Sequence, residues 1–148
     1  MITRILRNDP RENSVTKEMV FIGLWLFYYT MADVLLVEDT DIQVALLERF
    51  VAGRHEVVGT AATSTEAIEL VDATAPDVVL MDLALEEGSG IEATAAITDS
   101  QPTTSVIIST VGLGTDTKER AMAAGADAYL TKPYSSQELL ETIDQVLS

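Results

Sequence analysis

The 148-residue chain has no cysteine and a single histidine, His55. The first absence excludes disulfide scaffolds, thiolate zinc sites and cysteine nucleophiles. The second excludes a multi-histidine metal site, and His55 itself reads as a strand or loop residue without a chemical role. Bases are scarce: nine Lys and Arg stand against 24 Asp and Glu, a formal net charge of −15. The imbalance is uneven along the chain. Residues 1–31 carry +1, whereas residues 32–148 hold five bases against 21 acids. A body so acidic repels a phosphate backbone, so direct nucleic-acid binding is not expected. The same composition suits a salt-rich cytoplasm, where an acidic surface keeps proteins in solution. What the chain does have is apolar residues, 47 % of the total, enough for one domain to bury a core.

Residues 1–18 are polar and of mixed charge, and residues 19–32 carry none. Five of the eight aromatics lie in that second stretch: Phe21, Trp25, Phe27, Tyr28 and Tyr29. Its 14 residues fall short of the roughly 20 that a membrane-spanning helix needs. Three readings of this N-terminal extension, residues 1–31, stay open. It is an upstream start with Met31 the true initiator, a hydrophobic anchor or dimerising segment, or a signal peptide. A strand that begins two residues after Met31 favours the first, and with it a cytoplasmic protein.

From Asp33 onward, strands and helices alternate. Val34–Val37 is a short buried strand, and residues 41–53 show helical spacing closed by Gly53. Residues 55–60 form a weaker strand. Thr63 and Glu66 have capping-box spacing and open a helix that Pro76 stops. Residues 77–81 are a strongly apolar strand, and Gly88, Ser89 and Gly90 mark the loop before the next helix. Residues 105–109 are the fourth strand. A helix over 116–124 ends at Gly125, and residues 126–131 are the fifth strand. Ser135 and Glu138 cap a final helix that runs to Leu147. Five short apolar strands alternating with five helices imply an α/β fold with a parallel sheet covered on both faces. The flavodoxin-like doubly wound order 2-1-3-4-5 would bring the ends of the first and third strands together.

Ligands of such sheets bind beyond the carboxyl ends of the strands. Glu38, Asp39 and Asp41 follow the first strand, Asp82 the third, Thr110 the fourth, and Lys132 and Pro133 the fifth. Clustered carboxylates repel one another unless a cation or a proton neutralises them, and an all-oxygen site of this kind suits Mg²⁺. A lysine and a hydroxyl beside it can hold an anion. Together these residues describe a site for a phosphoryl group carried on Asp82. Taken singly, each is as readily a helix cap or turn former, and the joint pattern carries the argument.

Residues 34–40 (VLLVEDT), 78–92 (VVLMDLALEEGSGIE), 106–110 (VIIST) and 124–134 (AGADAYLTKPY) resemble, in order and spacing, the response-regulator receiver domain of two-component signalling. The resemblance covers residues 32–148. It implies that Asp82 is the phospho-acceptor and that Glu38, Asp39 and Asp82, with the backbone carbonyl of Ala84, hold Mg²⁺ (or Mn²⁺). It implies that Thr110 is the switch hydroxyl, that Tyr129 swings inward with it, and that Lys132 pairs with the phosphoryl oxygens. Pro133 would hold the following turn after a cis Lys-Pro bond. Glu38 stands where aspartate is frequent, and Glu86 replaces the proline usual after the acceptor. Ser109 stands beside Thr110, and the spacing to Lys132 usual in the family favours Thr110 as the switch.

The implied protein is a stand-alone, single-domain regulator with no appended effector domain. A sensor histidine kinase or phosphotransfer protein would phosphorylate it. A downstream protein target would then read the face made by the fourth helix, fifth strand and fifth helix, through which a homodimer could also form. It would not be an enzyme beyond its own Mg²⁺-dependent phosphoryl transfer and dephosphorylation. The alternative is a receiver-like binding module that never carries phosphate. Other classes fail on single residues. Asp82-Leu83-Ala84 lacks the second aspartate of a haloacid-dehalogenase-type phosphatase. Residues 112–118 lack the Gly-Lys-Ser/Thr ending of a P-loop. The first strand is followed by acids rather than by the glycine-rich turn of a dinucleotide site.

Overall fold

The computed structural model describes Ile22, residues 31–112 and residues 114–148. The expectations placed on residues 1–30 lie outside the described residues. The architecture is that of Ala32–Ser148, a unit in its own right. Its elements in chain order are β1 (Asp33–Val37), α1 (Asp41–Val51), β2 (Glu56–Ala61), α2 (Ser64–Thr74), β3 (Val78–Met81), α3 (Gly90–Ser100), β4 (Ser105–Val111), α4 (Thr115–Ala123), β5 (Ala128–Lys132) and α5 (Ser136–Leu147). The five strands pair in parallel in the order β2-β1-β3-β4-β5. Among the described residues no helix is long and apolar enough to cross a membrane.

The central strands are apolar on both sides because both sides are covered. Leu35, Val37, Val79, Met81, Val106 and Ile108 face α2, α3 and α4, where Val71, Ala93, Ile97 and Ala121 meet them. Val34, Leu36, Leu80 and Ile107 face α1 and α5, where Leu47, Val51, Leu139 and Ile143 meet them. The period of two along each strand therefore assigns every side chain of β4 to one layer or the other. That assignment sends Thr110 and Ser109 to opposite faces.

The helix starts follow the capping chemistry read from sequence. The Thr63 hydroxyl accepts from Glu66 N–H at 3.1 Å, and Ser135 does the same for Glu138 at 3.1 Å. Ser89 caps α3 in the same way, accepting from Glu92 N–H at 3.3 Å. Gly125 has φ +111° after α4, a conformation that favours glycine. Gly53 does not close α1 by that route. The helix ends at Val51, Gly53 is not left-handed, and the N–H groups of Arg54 and His55 both return to the Val51 carbonyl.

His55 lies just before β2 rather than in it, and it has a structural task that the sequence reading missed. It is buried, and its Nδ1 accepts from the backbone N–H of Ala32 at 3.0 Å, which ties the entry of β1 to the start of β2. Accepting at Nδ1 requires the neutral ring with its proton on Nε2. Burial first, and the neighbouring Arg54 second, push its pKa below the ordinary range.

Candidate functional site

The register of the sheet builds the site. Val37 pairs with Met81, so the residues that follow them, Glu38 and Asp82, emerge side by side where the strand order reverses. Two backbone bonds fix the exit: Asp82 N–H donates to the Val37 carbonyl at 3.0 Å, and Glu38 N–H to that of Ala61 at 2.9 Å. On the other flank Met81 pairs with Ile108, which places Thr110 just beyond the acid. Val111 pairs with Lys132, which brings the lysine from the edge strand to the same end.

Asp82 is almost fully buried, and three donors surround it. Its Oδ1 accepts from the Thr110 hydroxyl at 3.1 Å and from Ala84 N–H at 3.0 Å. Its Oδ2 lies 3.5 Å from Lys132 Nζ. The lysine is closer still to Glu38, with Nζ–Oε2 at 2.5 Å. Thr40 donates to the other Glu38 oxygen at 3.4 Å. Asp39 is more open, and its Oδ2 accepts from Glu86 N–H at 2.9 Å. The last contact was not legible in sequence. It exists because residue 86 is not proline and so has an N–H to donate.

Glu38, Asp39 and Asp82 each offer a carboxylate oxygen, and these atoms lie within 4.8 Å of one another. Three acids against one ammonium leave an excess of negative charge in a largely buried site. Burial pushes the Glu38 pKa up, the Lys132 hydrogen bond opposes this, and Asp82 adds to the rise. Burial acts against the Lys132 charge, but the Glu38 hydrogen bond and the attraction of Asp82 and Glu38 outweigh it and hold that pKa above its ordinary value. The donor set is wholly oxygen, is over-charged and opens at the strand ends. It fits a hard divalent cation. Asp41 opens α1 as its first residue and is not part of this cluster.

Tyr129 lies on β5 and packs into the same layer that Thr110 faces. Among the described residues its buried hydroxyl has no hydrogen-bond partner, and burial raises its pKa. Lys118 of α4 lies over its ring, 5.9 Å from the centroid. Pro133 follows a cis peptide bond from Lys132. Ser109 takes no part in the acidic cluster. Its hydroxyl meets that of Tyr134 at 2.5 Å on the opposite face.

Fold and site together define a doubly wound α/β protein with a carboxylate–lysine centre at its topological switch point. A family model described as the response regulator receiver domain matches residues 34–144, and the chain belongs to that family. It is 34 % identical over 116 residues to the chemotaxis protein CheY of Halobacterium salinarum, an alignment that covers 78 % of this chain and 96 % of that one. It is 36 % identical to the transcriptional regulatory protein PdtaR of Mycobacterium tuberculosis, with 78 % of this chain and 56 % of that one covered. The chain therefore spans little more than half of such larger regulators. Among solved structures, the response regulator domain of Thermotoga maritima CheB superposes with a TM-score of 0.72 at 30 % identity, covering 79 % of this chain and 96 % of that one. The fold class expected from sequence, including its strand order, is the one observed.

Proposed function

We propose that Asp82 accepts a phosphoryl group from the phosphohistidine of a sensor histidine kinase or phosphotransfer protein. The observation that carries this reading is the convergence of the Thr110 hydroxyl, the Ala84 N–H and the Lys132 ammonium on one buried carboxylate. A carboxylate oxygen attacks phosphorus, the phosphorus–nitrogen bond breaks, and the imidazole nitrogen leaves with the bonding pair. Glu38, Asp39, Asp82 and the Ala84 carbonyl would hold Mg²⁺ (or Mn²⁺), which supplies countercharge for the phosphoryl oxygens. Lys132 supplies the remaining positive charge, and being held at Nζ by Glu38 it needs little reorganisation.

Phosphorylation replaces one negative charge by about two and adds acceptor oxygens. The Thr110 hydroxyl, already directed at Asp82, donates to the new acceptor. Tyr129 packs in the same layer, and Lys118 links its ring to α4. A change at Thr110 therefore reaches the α4-β5-α5 face, the surface a downstream protein would read. The test is the intact mass of the full chain after incubation with acetyl phosphate and Mg²⁺, beside Asp82→Asn. A gain of about one phosphoryl group in the wild type alone supports the assignment. An equal gain in the variant overturns Asp82 as acceptor. No gain in a folded wild type favours a constitutive binding module.

A further inference from the structure

The residues assigned above leave unexplained a buried polar pair on the other face of the sheet. Ser109 is 1 % exposed, and the alternation of β4 sets it on the side of Ile107, toward the layer of Leu139 and Ile143. A lone hydroxyl there would be unfavourable without a partner. Its partner is the Tyr134 hydroxyl at 2.5 Å, and the Tyr134 side chain packs against that same layer. Burial keeps the Tyr134 pKa above the ordinary range, so the phenol stays protonated and able to share a hydrogen bond.

The position of this bond in the chain gives it a second consequence. In the β4–β5 ladder Ser109 is the register partner of Leu130. The segment from Leu130 to Tyr134 is thus closed on Ser109 at both ends, through the ladder at one and through the phenol at the other. Lys132 is its middle residue. Among the described residues β5 is an edge strand that pairs only with β4, and Lys132 is its last residue. Its backbone is therefore supported by the sheet on one side only, at the point where its ammonium must reach Glu38 and Asp82.

We propose that the Ser109–Tyr134 hydroxyl pair is a positioning device, a clasp that fixes the turn carrying Lys132 and so sets its ammonium against Glu38 and Asp82. For its effect on phosphoryl transfer, the inference rests on the function proposed above. For its effect on the lysine itself, it does not. Ser109 and Tyr134 are positioning residues, since neither touches the carboxylates.

The test uses full-length Ser109→Ala, Tyr134→Phe and the double variant. The Lys132 ammonium should give a discrete ¹⁵N–¹H cross-peak in the wild type, held by its ion pair. The peak should broaden or vanish in each variant while the backbone spectrum is retained. Phosphoryl uptake from acetyl phosphate at saturating Mg²⁺ should slow about tenfold, the scale of a loosened rather than removed group. Affinity for Mg²⁺ alone should stay within about twofold, because a loosened ammonium keeps its charge near the carboxylates and is not itself a ligand. The double variant should be no slower than the singles, because the two hydroxyls act as one contact. An unchanged lysine peak and rate would overturn the clasp. So would Mg²⁺ affinity and rate falling together, which would mark a merely structural loss. A wild type that takes up no phosphoryl group would sink the proposed function, and the lysine cross-peak would still decide the clasp.

Discussion

Replacing Lys132 by Met keeps most of the aliphatic stem and removes the one cation that, among the described residues, the buried carboxylates share. In the wild type its Nζ sits 2.5 Å from Glu38 and 3.5 Å from Asp82, with only 14 % of the lysine side chain and 2 % of the Glu38 side chain exposed. Breaking one partner out of a buried pair costs roughly 3–5 kcal/mol, because a desolvated charge is left uncompensated. The site opens at the strand ends, so the lower end applies, and Lys132→Met should lose about 3 kcal/mol near neutral pH in EDTA. The loss should depend on pH with a definite sign. Burial already holds Glu38 above its ordinary range against the opposing pull of Lys132. Without that pull it rises further, and the folded variant retains a proton that the unfolded chain gives up. An acid raised in the folded state contributes stability at low pH that is lost as pH climbs through its folded value. The gap between variant and wild type should therefore be small near about pH 5 and widen toward about pH 7.5. Excess Mg²⁺ should narrow it again, because carboxylates no longer paired with Lys132 bind the ion more tightly in the folded variant than in the folded wild type. Urea melts of both proteins at the two pH values, with and without Mg²⁺, measure all three effects. A variant within about 0.5 kcal/mol of wild type at both pH values in EDTA would refute the shared-cation argument.

His55 gives a second pH dependence. Its folded pKa lies below the ordinary 6.5, so stability is fully present above that value and falls as pH drops beneath it. His55→Asn, whose carbonyl can still accept from Ala32 N–H, should remove this component, seen as a shallower acid-side slope in paired denaturation curves. Gly125→Ala should lower stability by roughly 1–3 kcal/mol in thermal melts, since a Cβ at φ +111° would meet Thr98 Oγ1 at 2.6 Å. Ile107→Ala, at a fully buried position facing α1 and α5, should cost roughly 2–5 kcal/mol in urea titrations and leave Mg²⁺ affinity unchanged.

The sequence alone sets the alternation of elements, because short apolar strands, capping residues and the glycine after α4 act over a few residues. Thr63, Ser135 and Gly125 each do in the structure what their local chemistry foretells. It also determined which strand's carboxyl end carries each acid, the hydroxyl and the lysine, and hence the candidate site, although Thr110 and Lys132 lie within the last residues of β4 and β5 rather than after them. The preference for Thr110 over Ser109 came with the family resemblance, and the period of two along β4 sets the two hydroxyls on opposite faces. Distances between chain-remote groups were decided only by the tertiary structure, because they depend on register and on what each side chain displaces. That is why Lys132 turns out to sit nearer Glu38 than Asp82, and why Asp39 is held by Glu86 N–H. It is also why the lone His55, which carries no local signature of a role, closes β1 against β2 once burial denies Ala32 N–H any water partner. The Ser109–Tyr134 contact belongs to the same class. Two hydroxyls 25 residues apart have no local signature, and only the folding of β5 beside β4 makes them partners.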